Sequence, residues 1–301
     1  MKKLKYIRYF FEAIPIYFLY GFFRILPLDA ASAFGGWTLS KIGPHFKSTK
    51  YARINIKLAF PEKKPEEIEK IINGMWNNLG RVLGEFPHLP NIKNYANNER
   101  IELVGEEYAL PFIKDNKGGI LFSGHLGNWE VSSLLATDRG IPLHRIYRHS
   151  NNPFVEKLVL FARRSILGEL IPKGRTGAKK CIQYLKDEQF LAMLVDQKLN
   201  KGVAVPFFGH IAKTAAAPAE LAYRYNCPII PTRVERLKGA RFRVSAYPPL
   251  ILPDTGDKTK NIELVMTEIN KLLEGWIRER PEQWLWIHRR WPKEYYKTKA
   301  P

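Results

Sequence analysis

Residues 118–130, Gly-Gly-Ile-Leu-Phe-Ser-Gly-His-Leu-Gly-Asn-Trp-Glu, constrain this chain more than any other stretch. Ile120, Leu121 and Phe122 form a short apolar run of the kind a buried strand shows. Ser123-Gly124 closes it, and His125 falls where such a strand opens onto a surface. Asn128 then reads as a helix N-cap, with Trp129, Glu130 and Val131 in the first turn. The stretch predicts a strand, an imidazole at its tip and a carboxylate at the start of the next helix. Gly124 and Gly127 flank the histidine and let backbone come close to a ligand. A histidine beside a carboxylate is the minimal device for taking a proton from a hydroxyl, the carboxylate fixing the ring tautomer and stabilising the imidazolium. The same spacing has a structural reading, in which His125 bonds the backbone and Glu130 only favours the helix dipole.

After Glu130 the elements alternate. A helix over 129–139 leads to a strand at Leu143 to Tyr147, a helix opened by Asn152-Pro153, and a short strand at Leu170-Ile171. A helix from Gly177 to Lys186 and a buried strand from Phe190 to Val195 follow. Cys227 to Pro231 reads as a strand, Arg241 to Tyr247 as its antiparallel partner, and Ile262 to Ile277 as an amphipathic helix. Residues 61–118 look helical, starting at Pro65-Glu66-Glu67. The expected fold class is α/β, a mixed sheet flanked by helices. Such folds collect ligands at strand carboxyl ends, and His125 and Asp196 both lie at expected ends, so they share one rim.

The net charge of +19 is unevenly spread. Residues 1–60 hold ten Lys/Arg against two acids, and residues 139–180 hold ten against two, whereas residues 61–118 hold eight against ten. Two basic blocks point to anionic partners: a phospholipid surface, a phosphorylated substrate, an acidic carrier protein or nucleic acid. Against nucleic acid, no recognised RNA-binding motif occurs, nor an array of aromatics interleaved with Lys/Arg. The two cysteines, Cys181 and Cys227, exclude a disulfide framework and fit a reducing compartment. No zinc-ligand spacing, Walker loop or dinucleotide fingerprint appears, and no cofactor is expected.

The chain begins Met-Lys-Lys-Leu-Lys and runs aromatic and apolar from Tyr6 to Leu28, interrupted by Arg8, Glu12 and Arg24. Its longest uncharged piece, Ala13 to Phe23, has 11 residues, against about 20 for a bilayer span. Lysines with Phe, Tyr and Leu on one helix suggest an element lying in the headgroup region. The other reading is a buried first helix of the globular domain. Residues 1–28 are expected to be a membrane-associating segment and 29–301 the remaining domain.

Ser-Gly-His-Leu-Gly-Asn-Trp-Glu at 123–130 resembles the His-x4-acid motif of glycerolipid acyltransferases, and more closely that of the lipid A late (lauroyl/myristoyl) acyltransferases. Downstream, Asp196 in Leu-Val-Asp-Gln, Val205-Pro206-Phe207-Phe208-Gly209 and Thr214 fall in the family's order, as does the Arg163-Arg164 pair. Pro281-Glu282-Gln283-Trp284-Leu285-Trp286-Ile287-His288-Arg289-Arg290 is very similar to the stretch that closes these domains, and Asn55 to Pro61 extends the likeness upstream.

The resemblance implies an acyl thioester donor on acyl carrier protein or coenzyme A, and a phosphorylated glucosamine lipid acceptor. It places the work at the cytoplasmic face of a Gram-negative inner membrane. It implies His125 as general base with Glu130 orienting it, and Asp196, Asn128 and Gly127 in the substrate site. Arg164 is expected on a lipid phosphate, with Arg163 beside it and Arg148, Lys173 and Arg175 as weaker choices. Backbone N–H groups near Gly127 are expected at the oxyanion, and no activated serine or cysteine suggests an acyl-enzyme. His288, with no acid at the motif spacing, carries no catalytic expectation. Acylation of another glycolipid, such as a phosphatidylinositol mannoside, and a basic membrane- or RNA-binding protein remain as alternatives.

Overall fold

A computed structural model describes residues 2–92, 100–115 and 117–297. Five helices come first: α1 (Lys2–Ile25), α2 (Leu28–Ile42), α3 (Thr49–Ala59), α4 (Pro65–Glu85) and the short α5 (Leu89–Ile92). Helix α4 starts as its sequence dictates, with Pro65 in the first turn and the Glu67 carboxylate accepting from the Lys64 amide at 2.9 Å. Its apolar side (Ile68, Ile71, Ile72, Met75, Trp76) is buried. Helices α2 and α4 cross closely because glycines meet at the crossing: a Cβ on Gly80 would stand 2.1 Å from the Gly35 carbonyl oxygen.

The rest alternates. It runs β1 (Ile101–Val104), α6 (Leu110–Lys114), β2 (Gly119–Ser123), α7 (Val131–Asp138), β3 (Leu143–Tyr147), α8 (Pro153–Ala162) and β4 (Leu170–Pro172). Then come α9 (Arg175–Lys186), β5 (Phe190–Leu194), β6 (Lys198–Phe207), β7 (His210–Thr214), α10 (Ala217–Tyr225), β8 (Ile229–Lys238), β9 (Arg241–Ala246) and α11 (Lys258–Glu279). Seven strands form one sheet in the order β1-β9-β8-β2-β5-β3-β4, while β6 and β7 pair as a separate hairpin. Strands β8, β2, β5, β3 and β4 are parallel; β9 runs antiparallel to β8, and β1 parallel to β9. The sheet is mixed and flanked by helices, as expected.

Strand β2 lies between β8 and β5, so it reads as a continuous apolar run, Ile120 and Phe122 being fully buried. Helix α11 covers it, Phe122 stacking on Trp276 at 6.0 Å. Three sequence expectations change. Residues 61–118 include a strand, β1, at the sheet edge. Helix α7 starts at Val131, two residues late, because Asn128 and Glu130 are spent on a turn before it. The long β6–β7 hairpin was not foreseen; its exposed positions mix polar residues (Asn200, Lys201, Lys213) with apolar ones (Leu199, Ile211), so it lacks the clean alternation that marks a strand.

Among the described side chains of α1 only Ala13 is buried, so it is not a core helix. One side rests on α8, with Tyr6 and Phe10 against Phe154 and Tyr20 against Phe161. The Asn152 amide donates to the Tyr9 carbonyl at 2.7 Å and the Tyr17 hydroxyl to the Phe154 carbonyl at 3.0 Å. The opposite side exposes Leu4, Ile7, Phe11, Ile14 and Phe18. No described helix is long and apolar enough to cross a membrane. The side chains of Lys2 and Lys3 lie outside those described.

Candidate active site

The register of two parallel strands builds the site. Ser123, the last residue of β2, pairs with Leu194, the last of β5, and the Val195 amide donates to the Ser123 carbonyl at 3.0 Å. His125 and Asp196, each two residues further on, therefore emerge side by side. The Asp196 carboxylate meets His125 Nδ1 at 2.8 Å through Oδ1, and accepts from the His125 backbone amide at 2.8 Å through Oδ2. The Trp284 indole N–H donates to Oδ2, also at 2.8 Å. Burial of Asp196 opposes its charge, but the His125 imidazole and these donated bonds outweigh that and hold the carboxyl far below the usual carboxylate range. With Nδ1 held, Nε2 is the ring nitrogen left for a substrate, and the Trp129 ring edges against the imidazole at 5.0 Å.

Glu130, which its spacing placed beside His125, pairs with Arg163 instead. Its carboxylate faces Arg163, accepting from Nε at 3.0 Å and from Nη2. Both side chains are largely buried. Burial works against the Glu130 charge, and Arg163 with Arg145 behind it pulls the carboxyl below its usual range. Five residues beyond the histidine, across a turn and into α7, the side chain has swung away from the imidazole. Asp196 is the carboxylate that meets the imidazole. Arg145 is itself buried, with Nε and Nη1 making no hydrogen bond among the described residues, and burial brings its pKa down to about 10.

The arginine expected at the site is also exchanged for its neighbour. Arg164 lies exposed, its guanidinium 3.8 Å over the Phe161 ring and bonded to the Phe161 carbonyl, on the side where α1 packs. Arg163 is the one that turns inward.

Gly127 and Asn128 face the protein, not an open surface. Gly127 has φ +55°, and a Cβ there would stand 2.8 Å from the Val234 carbonyl oxygen. The Asn128 side chain, fully buried, donates to Glu85 at 2.8 Å and accepts from the Glu130 amide at 3.2 Å. Glu85 in turn pairs with Arg236, and Asn78 donates to the Gly127 carbonyl at 2.9 Å. This buried network fixes the loop from below. Three of the amides near Gly127 are taken: His125 N–H bonds Asp196, Leu126 N–H bonds the Gly124 carbonyl, and Gly127 N–H bonds the Gln283 carbonyl.

That last bond belongs to the most unexpected part of the site. The segment 281–291 runs along the histidine loop, Leu126 bridging Trp284 and the Leu285 amide donating to the His125 carbonyl at 3.2 Å. Its tryptophans, Trp284, Trp286 and Trp291, pack in the core, yet Trp284 also holds Asp196. Arg290, fully buried, bonds Thr214 at 2.7 Å and Asn270 at 3.2 Å, tying segment, hairpin and α11 together. Sequence reasoning missed Trp284, Gln283, Asn78 and Glu85, since nothing in their spacing links them to residue 125.

Among the described residues no serine, threonine or cysteine side chain bonds the His125 imidazole. Ser123 Oγ is buried and makes no hydrogen bond within the described residues. Burial pushes the Cys181 thiol up and the Cys227 thiol up to about 11. No group of three or more His, Cys, Asp or Glu among the described residues is placed to hold a metal ion. At the rim, Arg148 follows β3 and Lys173 follows β4, the Lys173 amide bonding the Tyr147 carbonyl at 2.9 Å. Both are exposed cations near His288.

The family model for bacterial lipid A biosynthesis acyltransferase matches residues 1–293. A lipid A biosynthesis acyltransferase of Haemophilus influenzae is 25% identical over 266 residues, covering 85% of this chain and 81% of that protein. A lipid A biosynthesis lauroyltransferase of Escherichia coli is 27% identical over 274 residues, covering 85% and 83%. The crystal structure of a 1-acyl-sn-glycerophosphate acyltransferase from Thermotoga maritima superposes with a TM-score of 0.35 at 11% identity, covering 78% of this chain and 98% of that one.

Proposed function

The chain belongs to the bacterial lipid A biosynthesis acyltransferase family and is an O-acyltransferase, and from that premise we propose that it moves a fatty acyl chain from a soluble thioester to a hydroxyl of a phosphorylated lipid A precursor. The donor is acyl carrier protein or coenzyme A. The observation that supports this most is the 2.8 Å pairing of His125 Nδ1 with a buried, charged Asp196, which leaves Nε2 as a base. Nε2 takes the hydroxyl proton as the oxygen attacks the thioester carbonyl carbon. Collapse of the tetrahedral intermediate breaks the C–S bond, and the departing thiolate takes the proton back from the imidazolium. Asp196 stabilises that imidazolium and stays ionised. The acyl group passes directly to the acceptor, because neither cysteine is ionised or exposed and no serine bonds the imidazole.

Acceptor phosphate meets the exposed cations at the strand ends, Arg148 and Lys173, in this reading. Arg164, on the face shared with α1, meets lipid headgroups. The stripe Leu4, Ile7, Phe11, Ile14 and Phe18 lies on the inner membrane at its cytoplasmic face, where a soluble donor and a bilayer-bound acceptor meet.

Transfer of a labelled acyl chain from acyl carrier thioester to purified lipid A precursor tests the reading. His125→Ala should lower the rate by roughly 10²–10⁴-fold with the fold intact; an unaffected rate removes the mechanism. Faster transfer to a phosphatidylinositol mannoside in a parallel assay would move the acceptor to another glycolipid class.

A further inference from the structure

In the histidine loop, the amides of His125, Leu126 and Gly127 each donate inside the protein. A thioester carbonyl attacked beside Nε2 still gathers negative charge on its oxygen, and transfer needs a donor about 2.7–3.1 Å from it. One side chain stands in the right place. The His288 ring lies 6.3 Å, centroid to centroid, from the His125 ring and is tilted 57° to it. Neither of its nitrogens makes a hydrogen bond among the described residues, and one side of the residue is open. With the rings so spaced, a hydroxyl oxygen on one imidazole and the carbonyl oxygen on the other, each at about 2.8 Å from a ring nitrogen, are accommodated beside the pair, on the open side of His288, rather than in line between the rings.

We propose that His288 is a catalytic residue, donating an imidazole N–H to the thioester carbonyl oxygen as it becomes the oxyanion. The inference rests on the acyl-transfer reading above. Several distant parts of the chain converge to hold His288 there. The Asn55 side chain donates at 2.6 Å to both the His288 and the Trp286 carbonyls, and accepts from the Tyr296 hydroxyl at 2.6 Å. On the other side of His288, Arg290 is bonded to Thr214 and Asn270. So the Asn55 motif, the hairpin motif and the closing motif fix one imidazole opposite another.

Protonation favours the same role. Desolvation, then the neighbouring His125, push the His288 pKa below the ordinary imidazole value, with Lys173 and Arg148 adding to the effect and Asp196 opposing it. A neutral ring can donate to a carbonyl oxygen without repelling the imidazolium that His125 becomes.

Steady-state transfer by His288→Ala and His288→Gln tests the assignment, with thermal melts showing that both stay folded. Loss of one oxyanion donor is worth about 10²–10³-fold in kcat, so Ala should fall by that much with KM little changed. Gln, which keeps an N–H donor, should recover a large part of it. The second readout is the infrared band of a ¹³C-labelled thioester carbonyl in the bound donor. It should lie at lower frequency on the wild-type protein and on His288→Gln than on His288→Ala. An Ala variant with wild-type kcat overturns the assignment, as does a Gln variant no better than Ala with the carbonyl band unmoved. Wild-type protein that moves no acyl chain would instead sink the function reading, and the carbonyl band would still report on His288.

Discussion

At the scale of single residues, the site contains two acid–base pairs that look alike and do different work. His125–Asp196 faces the substrate side, so removing the Asp196 charge strikes the chemistry. Asp196→Asn keeps the size and a hydrogen bond but cannot stabilise imidazolium. It should lower transfer by roughly 10²–10⁴-fold with KM for the donor little changed; a kcat close to wild type would show that Asp196 is only a cap. Glu130–Arg163 is a largely buried ion pair, and Glu130→Gln leaves Arg163 buried without its partner. Breaking such a pair costs about 3–5 kcal/mol, so the variant should melt well below wild type. A Glu130→Gln protein as stable as wild type but inactive would return Glu130 to catalysis. The sequence pointed to all four groups and assigned the acids wrongly for a physical reason. Which carboxylate meets an imidazole at a strand end depends on the neighbouring strand's register, and β5 lies seventy residues downstream of β2.

Between residue and molecule, the elements divide by how local their signals are. Strands β2, β3, β5, β8 and β9 and helices α4, α8, α9 and α11 were legible because each carries its own periodicity and breakers within a dozen or so residues. The edge strand β1, four residues long, has too little pattern to be seen. The segment 281–291 has no regular structure, so its place against the histidine loop exists only in the tertiary fold. Helix α1 was legible as an aromatic, apolar segment led by lysines, and in the fold it is apolar on two sides. The side facing α8 is satisfied by Phe154 and Phe161, and the other leaves Leu4 76%, Phe11 64% and Phe18 73% exposed. These recur at spacings of seven, one stripe along the helix. Because that stripe makes no ring contact beyond its own helix among the described residues (Phe11 edges only against Phe10), Phe11→Glu with Phe18→Glu should leave the melting temperature nearly unchanged. The double variant should lose co-sedimentation with vesicles containing anionic phospholipid and transfer poorly to bilayer-embedded acceptor, while slow donor hydrolysis persists. Undiminished vesicle binding would place the membrane contact elsewhere.

For the whole molecule, the buried ion pairs and buried thiols set a pH window. The chain carries +19 at neutral pH, so protonating carboxylates only increases its self-repulsion. Asp196 and Glu130 both have folded-state pKa values below their unfolded ones, burial opposing the charge and His125 or Arg163 outweighing it. Their contribution is complete above the unfolded carboxylate range, about 4, and is lost as pH falls through it towards the folded values. Asp29, Glu67 and Glu169 are shifted the same way, by Arg100, by the Lys64 amide and by Lys180, but they are solvent-screened and add little. On the alkaline side the sign reverses. Burial raises Cys181, and raises Cys227 to about 11, so above about 8.5 the unfolded chain loses thiol protons that the folded chain retains, and stability falls. The melting temperature should therefore be level between about pH 7 and 8 and decline on both sides. The acid limb starts near the unfolded imidazole value of about 6.5, because burial lowers His88, His144 and His288 in the folded state, and steepens as the carboxylates protonate and the net charge grows. Iodoacetamide at pH 8 should label neither cysteine in the native protein and both once it is unfolded. A melting temperature at pH 3.5 equal to that at pH 7 would mean that the two buried pairs contribute nothing to the folded state. Rapid labelling of the native protein would mean that its thiols are neither buried nor held protonated, and would reopen the route through an acyl-cysteine.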